Sequence, residues 1–203
     1  IAILSSGLLA GKCYGQEPEQ KKESYKSLKS RSSRSGIEQL LREANELKIS
    51  NPSQSLSNVQ EALGMSLAQN DGFNEAKCYL LLGEINENIE EWGLALDNYE
   101  RAWQKLSSEY NNTAEYQRTL QGLGNTYLKL GNYTQSLRYF QETLKLPLSD
   151  AEKTERQLDI SEVYYQMGNY TEALKVIEEN SNSFKVPNEV LEGKIQNQKA
   201  KIY

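Results

Sequence analysis

Residues 120–171 contain one four-residue turn twice: Gly131-Asn132-Tyr133-Thr134 and, 37 residues later, Gly168-Asn169-Tyr170-Thr171. A repeat at that period constrains the chain to a stacked array of helix pairs rather than one closed globule. Leu120, Leu123 and Tyr127 fall at i, i+3 and i+7 of a helix, with Gly124 beside the stripe. Gly131-Asn132 ends that helix, because glycine tolerates the left-handed conformation and Asn or Thr caps the next helix. This second helix carries Ser136, Leu137, Phe140, Thr143 and Leu144, and Pro147 marks its exit.

Twelve residues separate Gly124 from Ser136, and the same spacing links Gly83 to Ala95 and Ser161 to Ala173. Glycine at 83 and 124 removes the side chain that would hold the two helices of a pair apart. Ala95, Ser136 and Ala173 are expected to sit across from the small residues of the first helices, and Ala102 is expected to let the next pair approach.

These residues resemble the tetratricopeptide repeat pattern W-x2-L-G-x2-Y, then A-x3-F-x2-A, then P. The best copy is Leu120–Pro147, with Gly124, Tyr127, Ser136 and Phe140 in the motif places. Upstream, Tyr79, Leu82, Gly83 and Asn86 lead to Ala95, Tyr99 and Ala102, with Trp92 as the turn aromatic. Downstream, Ile160, Ser161 and Tyr164 lead to Ala173, Ile177 and Asn180. A weaker first copy runs from Leu40 and Ala44 to Ser55, Val59 and Ala62 with a turn one residue shorter. Periods of 40, 41 and 37 exceed the family's 34, and the surplus is expected in the second helices and in loops such as Ser107–Glu115. Asn86, Thr143 and Asn180 depart from the pattern.

The resemblance implies an all-α, right-handed superhelical solenoid of antiparallel helix pairs, about four repeats plus an incomplete fifth. The expected repeat bounds are 36–75, 76–116, 117–153, 154–187 and 188–203. In the last, Ala200 and Tyr203 fit the small residue and the aromatic of an unfinished first helix. With no initiator Met either, the sequence reads as part of a longer protein.

Residues 1–16 hold a short apolar run too brief to span a bilayer alone. Polar residues come next, so the run reads as the end of a secretory signal peptide cleaved near Gly15 or Gln16. The alternatives are a buried helix or, given Cys13 after Leu9-Ala10-Gly11, a lipoprotein signal, though Lys12 sits where a small residue is wanted. Residues 17–35 form a basic Ser/Lys-rich linker, six Lys or Arg against three Glu, too polar to offset the entropy of ordering. It serves either as a solvated tether or as a contact for anionic lipid.

From residue 36 onward, 16 Lys or Arg stand against 25 Asp or Glu, a net of −9. Such an array repels phosphate backbones, which argues against nucleic-acid binding. Without His the chain lacks the commonest metal ligand and every His-based general base or triad. No Gly-rich phosphate loop is present, since Gly122 and Gly124 lie inside a helix. Adjacent Glu90-Glu91 and Glu178-Glu179 diverge on a helix and read as solvated faces. No catalytic residue, metal or cofactor is expected. Cys78 reads as a small core residue. Of the sequons at Asn111, Asn132 and Asn169, the last two are repeat turns where Asn already has a conformational role.

What remains is the concave surface lined by the first helices, where this family holds extended peptides. Its exposed stripe is expected to comprise Lys77, Leu80, Glu84 and Glu87, then Arg118, Gln121, Asn125 and Leu128, then Glu155, Leu158, Glu162 and Tyr165. Asn125 matches a place where family members grip a ligand's backbone. Glu84 and Glu162 are expected to repel a terminal carboxylate, which argues against capture of chaperone tails. The expected partner is a protein or peptide, or a second copy of the chain. The layout of signal peptide, basic linker and long-period repeats resembles the exported front part of Bacteroidota-type sensor histidine kinases, with a membrane tether outside this segment. The alternative is a free-standing scaffold of the envelope or cytoplasm.

Overall fold

A computed structural model describes residues 34–181 and 189–203, with the side chains of 179–181 left aside. The expected signal peptide and nearly all of the linker therefore lie outside the described residues. Those described form nine helices and no strand. They are α1 Arg34–Leu47, α2 Pro52–Gln69, α3 Gly72–Asn88, α4 Trp92–Leu106, α5 Ala114–Lys129, α6 Tyr133–Thr143, α7 Asp150–Gln166, α8 Tyr170–Ser181 and α9 Glu189–Ile202.

Local sequence sets the helix starts. Asn51, Asp71, Thr113, Asn132, Ser149 and Asn169 each accept a backbone N–H from the residue three places on. At α7 the cap is reciprocal, because the Glu152 carboxylate reaches back to the Ser149 N–H at 2.8 Å. These caps lie ahead of the expected repeat bounds, so α3, α5 and α7 begin three or four residues earlier than 76, 117 and 154. Helix α1 likewise takes in Arg34 and Ser35 from the expected linker, and Gly36 is buried. The surplus length is spread more widely than expected: the second helices α2, α4 and α6 have 18, 15 and 11 residues, and the first helices α3, α5 and α7 have 17, 16 and 17.

Gly131 and Gly168, both at φ +74°, make the left-handed turns that end α5 and α7. The equivalent turn between α3 and α4 uses Glu90 at φ +61°, a conformation that costs a side-chain-bearing residue about 1–2 kcal/mol.

Consecutive helices pair as α1/α2, α3/α4, α5/α6 and α7/α8, each pair packing on its neighbours, and α9 lies against α7 and α8. The described chain is thus a solenoid of antiparallel helix pairs. Within the pairs the 12-residue relation becomes a contact. Ser136 Oγ donates to the Gly124 carbonyl at 2.8 Å, and Ser161 Oγ donates to the Ala173 carbonyl at 2.9 Å. In the first pair Ser55 Oγ donates to the Ala44 carbonyl at 2.7 Å. Ala95, Ala102, Ser136 and Ala173 are fully buried.

The glycines serve a partner other than the small residues opposite. A Cβ on Gly83 would stand 2.6 Å from the Tyr99 ring, and one on Gly124 would meet the Phe140 ring. They admit the aromatic of the second helix, four residues beyond the small one. Gly122, which the repeat pattern leaves unexplained, meets the hydroxyl end of the Tyr99 ring from the next pair. The ring is thereby held between α3 and α5.

The core divides into three clusters strung along the array. One, around Ile37, Val59 and Ile85, joins the first two pairs. A second, around Leu80, Tyr99, Leu120 and Leu123, joins the second and third. The third is smaller, with Phe140, Ile160 and Val163 fully packed and Tyr164 partly so. Tyr127 stacks on Tyr139 with centroids 5.6 Å apart and donates its hydroxyl to Glu100 at 2.8 Å. The residues that depart from the repeat pattern satisfy themselves locally: Asn86 donates to the Leu82 carbonyl and Thr143 to that of Tyr139.

Candidate functional site

The first helices α1, α3 and α5 lie side by side and form one wall of the array. Two cavities open on it. One of about 460 Å³ is lined by Glu38, Leu41, Arg42, Lys77, Leu80, Glu115 and Arg118, among others. The next, of about 350 Å³, is lined by residues that include Lys48, Glu84, Glu87, Asn88, Gln121 and Asn125. Arg118 belongs to both and joins them.

The polar side chains of this wall are bonded to one another across the helices. Glu84 accepts from Lys48 Nζ at 2.8 Å and from Arg118 Nε at 3.0 Å. Glu87 accepts the Tyr99 hydroxyl, and Asn125 Nδ2 reaches its other oxygen at 3.4 Å. Burial pushes the Glu87 carboxyl above its ordinary pKa, although the hydrogen bonds from Tyr99 and Asn125 pull the other way. Burial also raises the Tyr99 hydroxyl, which stays a donor to Glu87. Farther along, Lys194 meets Glu155 at 2.8 Å, while Gln198 and Lys201 both reach Glu162. At Glu162 burial favours the neutral acid, but bonds from Gln166, Gln198 and Lys201 outweigh it and hold the pKa below its ordinary value.

This geometry corrects the expected electrostatics: Glu84 and Glu162 are neutralised by cations on neighbouring first helices rather than left to repel an approaching carboxylate. Two other expected groove residues are placed differently. Leu80 is 2% exposed and belongs to the core, reaching the larger cavity only as part of its floor. Helix α3 buries Ala76, Cys78, Leu81 and Ile85 as well, so no single apolar stripe distinguishes its groove side. Leu158 lines a small void with Val176, Ile177 and Ile195, towards α8 and α9. Leu128 packs beside the Phe140 cluster, and the Tyr165 ring lies 5.5 Å from that of Tyr170 at the hairpin tip. Lys77 stands over the Phe73 ring at 4.7 Å. Gln121 and Asn125 sit together on the wall.

Sequence reasoning missed the contribution of α1. Copying the stripe 39 residues upstream, the offset between Gly83 and Ala44, turns Lys77, Leu80, Glu84 and Glu87 into Glu38, Leu41, Asn45 and Lys48. All four of these line the two cavities.

Elsewhere the sequence candidates take structural places. Cys78 is buried, and burial lifts its thiol pKa to about 12, so it stays protonated. Asn132 and Asn169 use their side-chain oxygens as helix caps. Among the described residues no three Cys, Asp or Glu converge as a metal site, and no helix is long and apolar enough to cross a membrane.

No curated protein sequence matches the chain. Its fold is similar to the crystal structure of MamA, at a TM-score of 0.59 and 19% identity, over 87% of this chain and 86% of that one. Residues 119–154, the third helix pair and the entry to the fourth, match the tetratricopeptide repeat family model. The chain thus has a tetratricopeptide-like helical solenoid fold, within which residues 119–154 match the family's repeat.

Proposed function

We propose that this chain is a protein-interaction module that takes an extended segment of a partner protein on the wall formed by α1, α3 and α5. The observation that carries this reading is the balance of charge there. Arg42, Lys48, Lys77 and Arg118 face Glu38, Glu84, Glu87 and Glu115, four cations against four anions in an array that is otherwise acidic. Amide side chains from Asn88, Gln121 and Asn125 sit among them. An amide both donates and accepts, as a peptide backbone does, and a neutral wall favours such a ligand over a strongly charged one.

The test is selection of twelve-residue peptides from a random library on the immobilised chain. Gln121→Ala with Asn125→Ala is expected to weaken the selected peptides at least tenfold, the loss of about 1.4 kcal/mol. Peptides that bind the double variant as tightly as the parent would place recognition elsewhere.

We further propose that the module is the exported sensing region of a membrane signalling protein such as a sensor histidine kinase. The apolar start, the basic linker and the repeats in that order support this, and a tether would come after the array. The second reading is a free-standing scaffold. Downstream gene sequence decides between them: about twenty apolar residues and then a kinase module would favour the first, and an early stop after a polar capping helix the second.

A further inference from the structure

The stacking is uneven at one joint. Helix α1 packs on α3, α3 on α5, and α7 on α9, but α5 and α7 barely touch. Side chains lace the other neighbours across the wall: Lys48 to Glu84, Arg118 to Glu84, Asn125 to Glu87, Lys194 to Glu155, Lys201 to Glu162. Between α5 and α7, among the described residues, the corresponding bond is Gln117 Nε2 to Glu152 Oε1 at 3.1 Å, near the start of both helices.

The joint is also poorly filled. Helix α6 is 11 residues long and gives way to residues 144–149, with Pro147 among them. The cluster beneath it rests on Phe140, Ile160 and Val163. Beside Phe140 lies a charged pair where the second and third repeats have small or apolar residues, Cys78 and Leu81, then Thr119 and Gly122. Arg156 is 5% exposed, stands 5.8 Å from the Phe140 ring centre, and meets Asp159 at 2.7 Å. Counting back from the small residue of each first helix, Arg156 occupies the place of Cys78 and Thr119, both fully buried. The buried Arg156 Nη1 and Asp159 Oδ2 meet only each other, and the neighbouring Gln157 keeps a buried Oε1 without a hydrogen bond. A buried ion pair, whose desolvation offsets its attraction, and one unpaired amide oxygen beside it make this the least stabilised interface of the array.

We infer that the solenoid is two cooperative blocks, α1–α6 and α7–α9, hinged at residues 144–149, with the Gln117–Glu152 bond as a strap across the opening. In a linear array each interface contributes separately, so the weakest one sets where it bends and where it opens first. Both cavities of the wall belong to the first block, and the second block swings beside them. This inference goes beyond the peptide reading and does not depend on it.

The experiment uses the full 203-residue chain. In hydrogen exchange, amides of Ile160–Val163 in α7 are expected to exchange at least tenfold faster than those of Leu120–Leu123 in α5. In a Cys13→Ser, Cys78→Ala background, spin labels at Gln104 and Gln196 span the joint, and labels at Gln60 and Gln141 lie within the first block. The spanning pair is expected to give the broader distance distribution. Replacing both Arg156 and Asp159 by Leu is expected to narrow it and to slow exchange in α7. Equal exchange in α5 and α7, together with equally narrow distributions for both label pairs, would overturn the two-block description. Neither readout involves a bound peptide, so a wall that captures nothing leaves the result standing.

Discussion

The Tyr99 ring closes on Gly122 of the following helix pair so tightly that a methyl group on that glycine would overlap its ring carbons. With Gly83 against Cγ and Cδ1, Gly122 against Cζ and Cε2, and its hydroxyl on Glu87, the ring is held along its length. The second and third pairs therefore share this side chain within their common cluster.

This contact separates two glycines that look alike in sequence. Gly122→Ala is expected to destabilise the fold by roughly 1–3 kcal/mol through overpacking. Gly64 in α2 has nothing within 4 Å of its missing Cβ, so Gly64→Ala is expected to stabilise by about 1 kcal/mol through helix propensity. Urea unfolding of the two variants checks both signs. A neutral Gly122→Ala would mean that the Tyr99 ring can move aside. Gly124→Leu, against Phe140, should behave as Gly122→Ala does, with the damage confined to neighbouring pairs.

The hairpin turns give a second pair of opposite outcomes. Glu90→Gly relieves a left-handed residue and is expected to raise stability by about 0.5–1 kcal/mol, since glycine's own entropic cost offsets part of the gain. Gly131→Glu imposes the same conformation on a side chain and is expected to lower stability by about 1–2 kcal/mol. Thermal melting of both variants measures the difference. Parallel shifts in one direction would contradict the turn assignment.

Asp159 should make the joint sensitive to mild acid. Its burial lifts the carboxyl pKa to about 6, against the opposing pull of Arg156. The folded chain thus takes up a proton at a pH where the unfolded chain, with an Asp near 3.9, does not. The stabilisation from that proton is present below the unfolded value and is lost as pH rises through about 6. About a third of the side chain reaches solvent, so the effect is on the order of 1–2 kcal/mol. Asp159→Asn removes it. The stability difference between parent and variant should therefore change between pH 4 and 7, in the parent's favour at the acid end. A difference that stays flat over that range would show that Asp159 titrates normally.

On the wall, Glu84→Gln is expected to leave Lys48 and Arg118 with a neutral partner and to draw acidic peptides that the parent refuses. Binding of a tetraglutamate peptide, compared between the two proteins, tests this. Equal affinity would mean that Glu84 does not control the charge of the wall.

The helix pairs were legible because their determinants are local. Gly131, Gly168 and the 12-residue spacing of Gly124 and Ser136 each fix a turn or a contact within one hairpin. The wall was only partly legible. Its bonds join residues some 34–39 positions apart, such as Arg118 to Glu84 and Lys201 to Glu162, and no period predicts which acid meets which base. Leu80 misled because α3 is buried on several sides, so a residue on its groove side can still be core. Gly122 stayed hidden because the matching places in other first helices hold Arg42, Leu81 and Asp159, which gives no recurring small residue to notice. Glu90 hid a left-handed turn behind a residue type that rarely makes one.

The serine bonds across the hairpins come from either direction: Ser136 on a second helix reaches Gly124 on a first, whereas Ser161 on a first helix reaches Ala173 on a second. Gly83 and Ala95 pack with no hydroxyl at all, so the interface asks only that both positions be small, and a serine bond can sit on either side. Drift of that kind erases a residue-by-residue signature while the architecture survives. An array built on that rule keeps its architecture while its hairpins differ residue by residue.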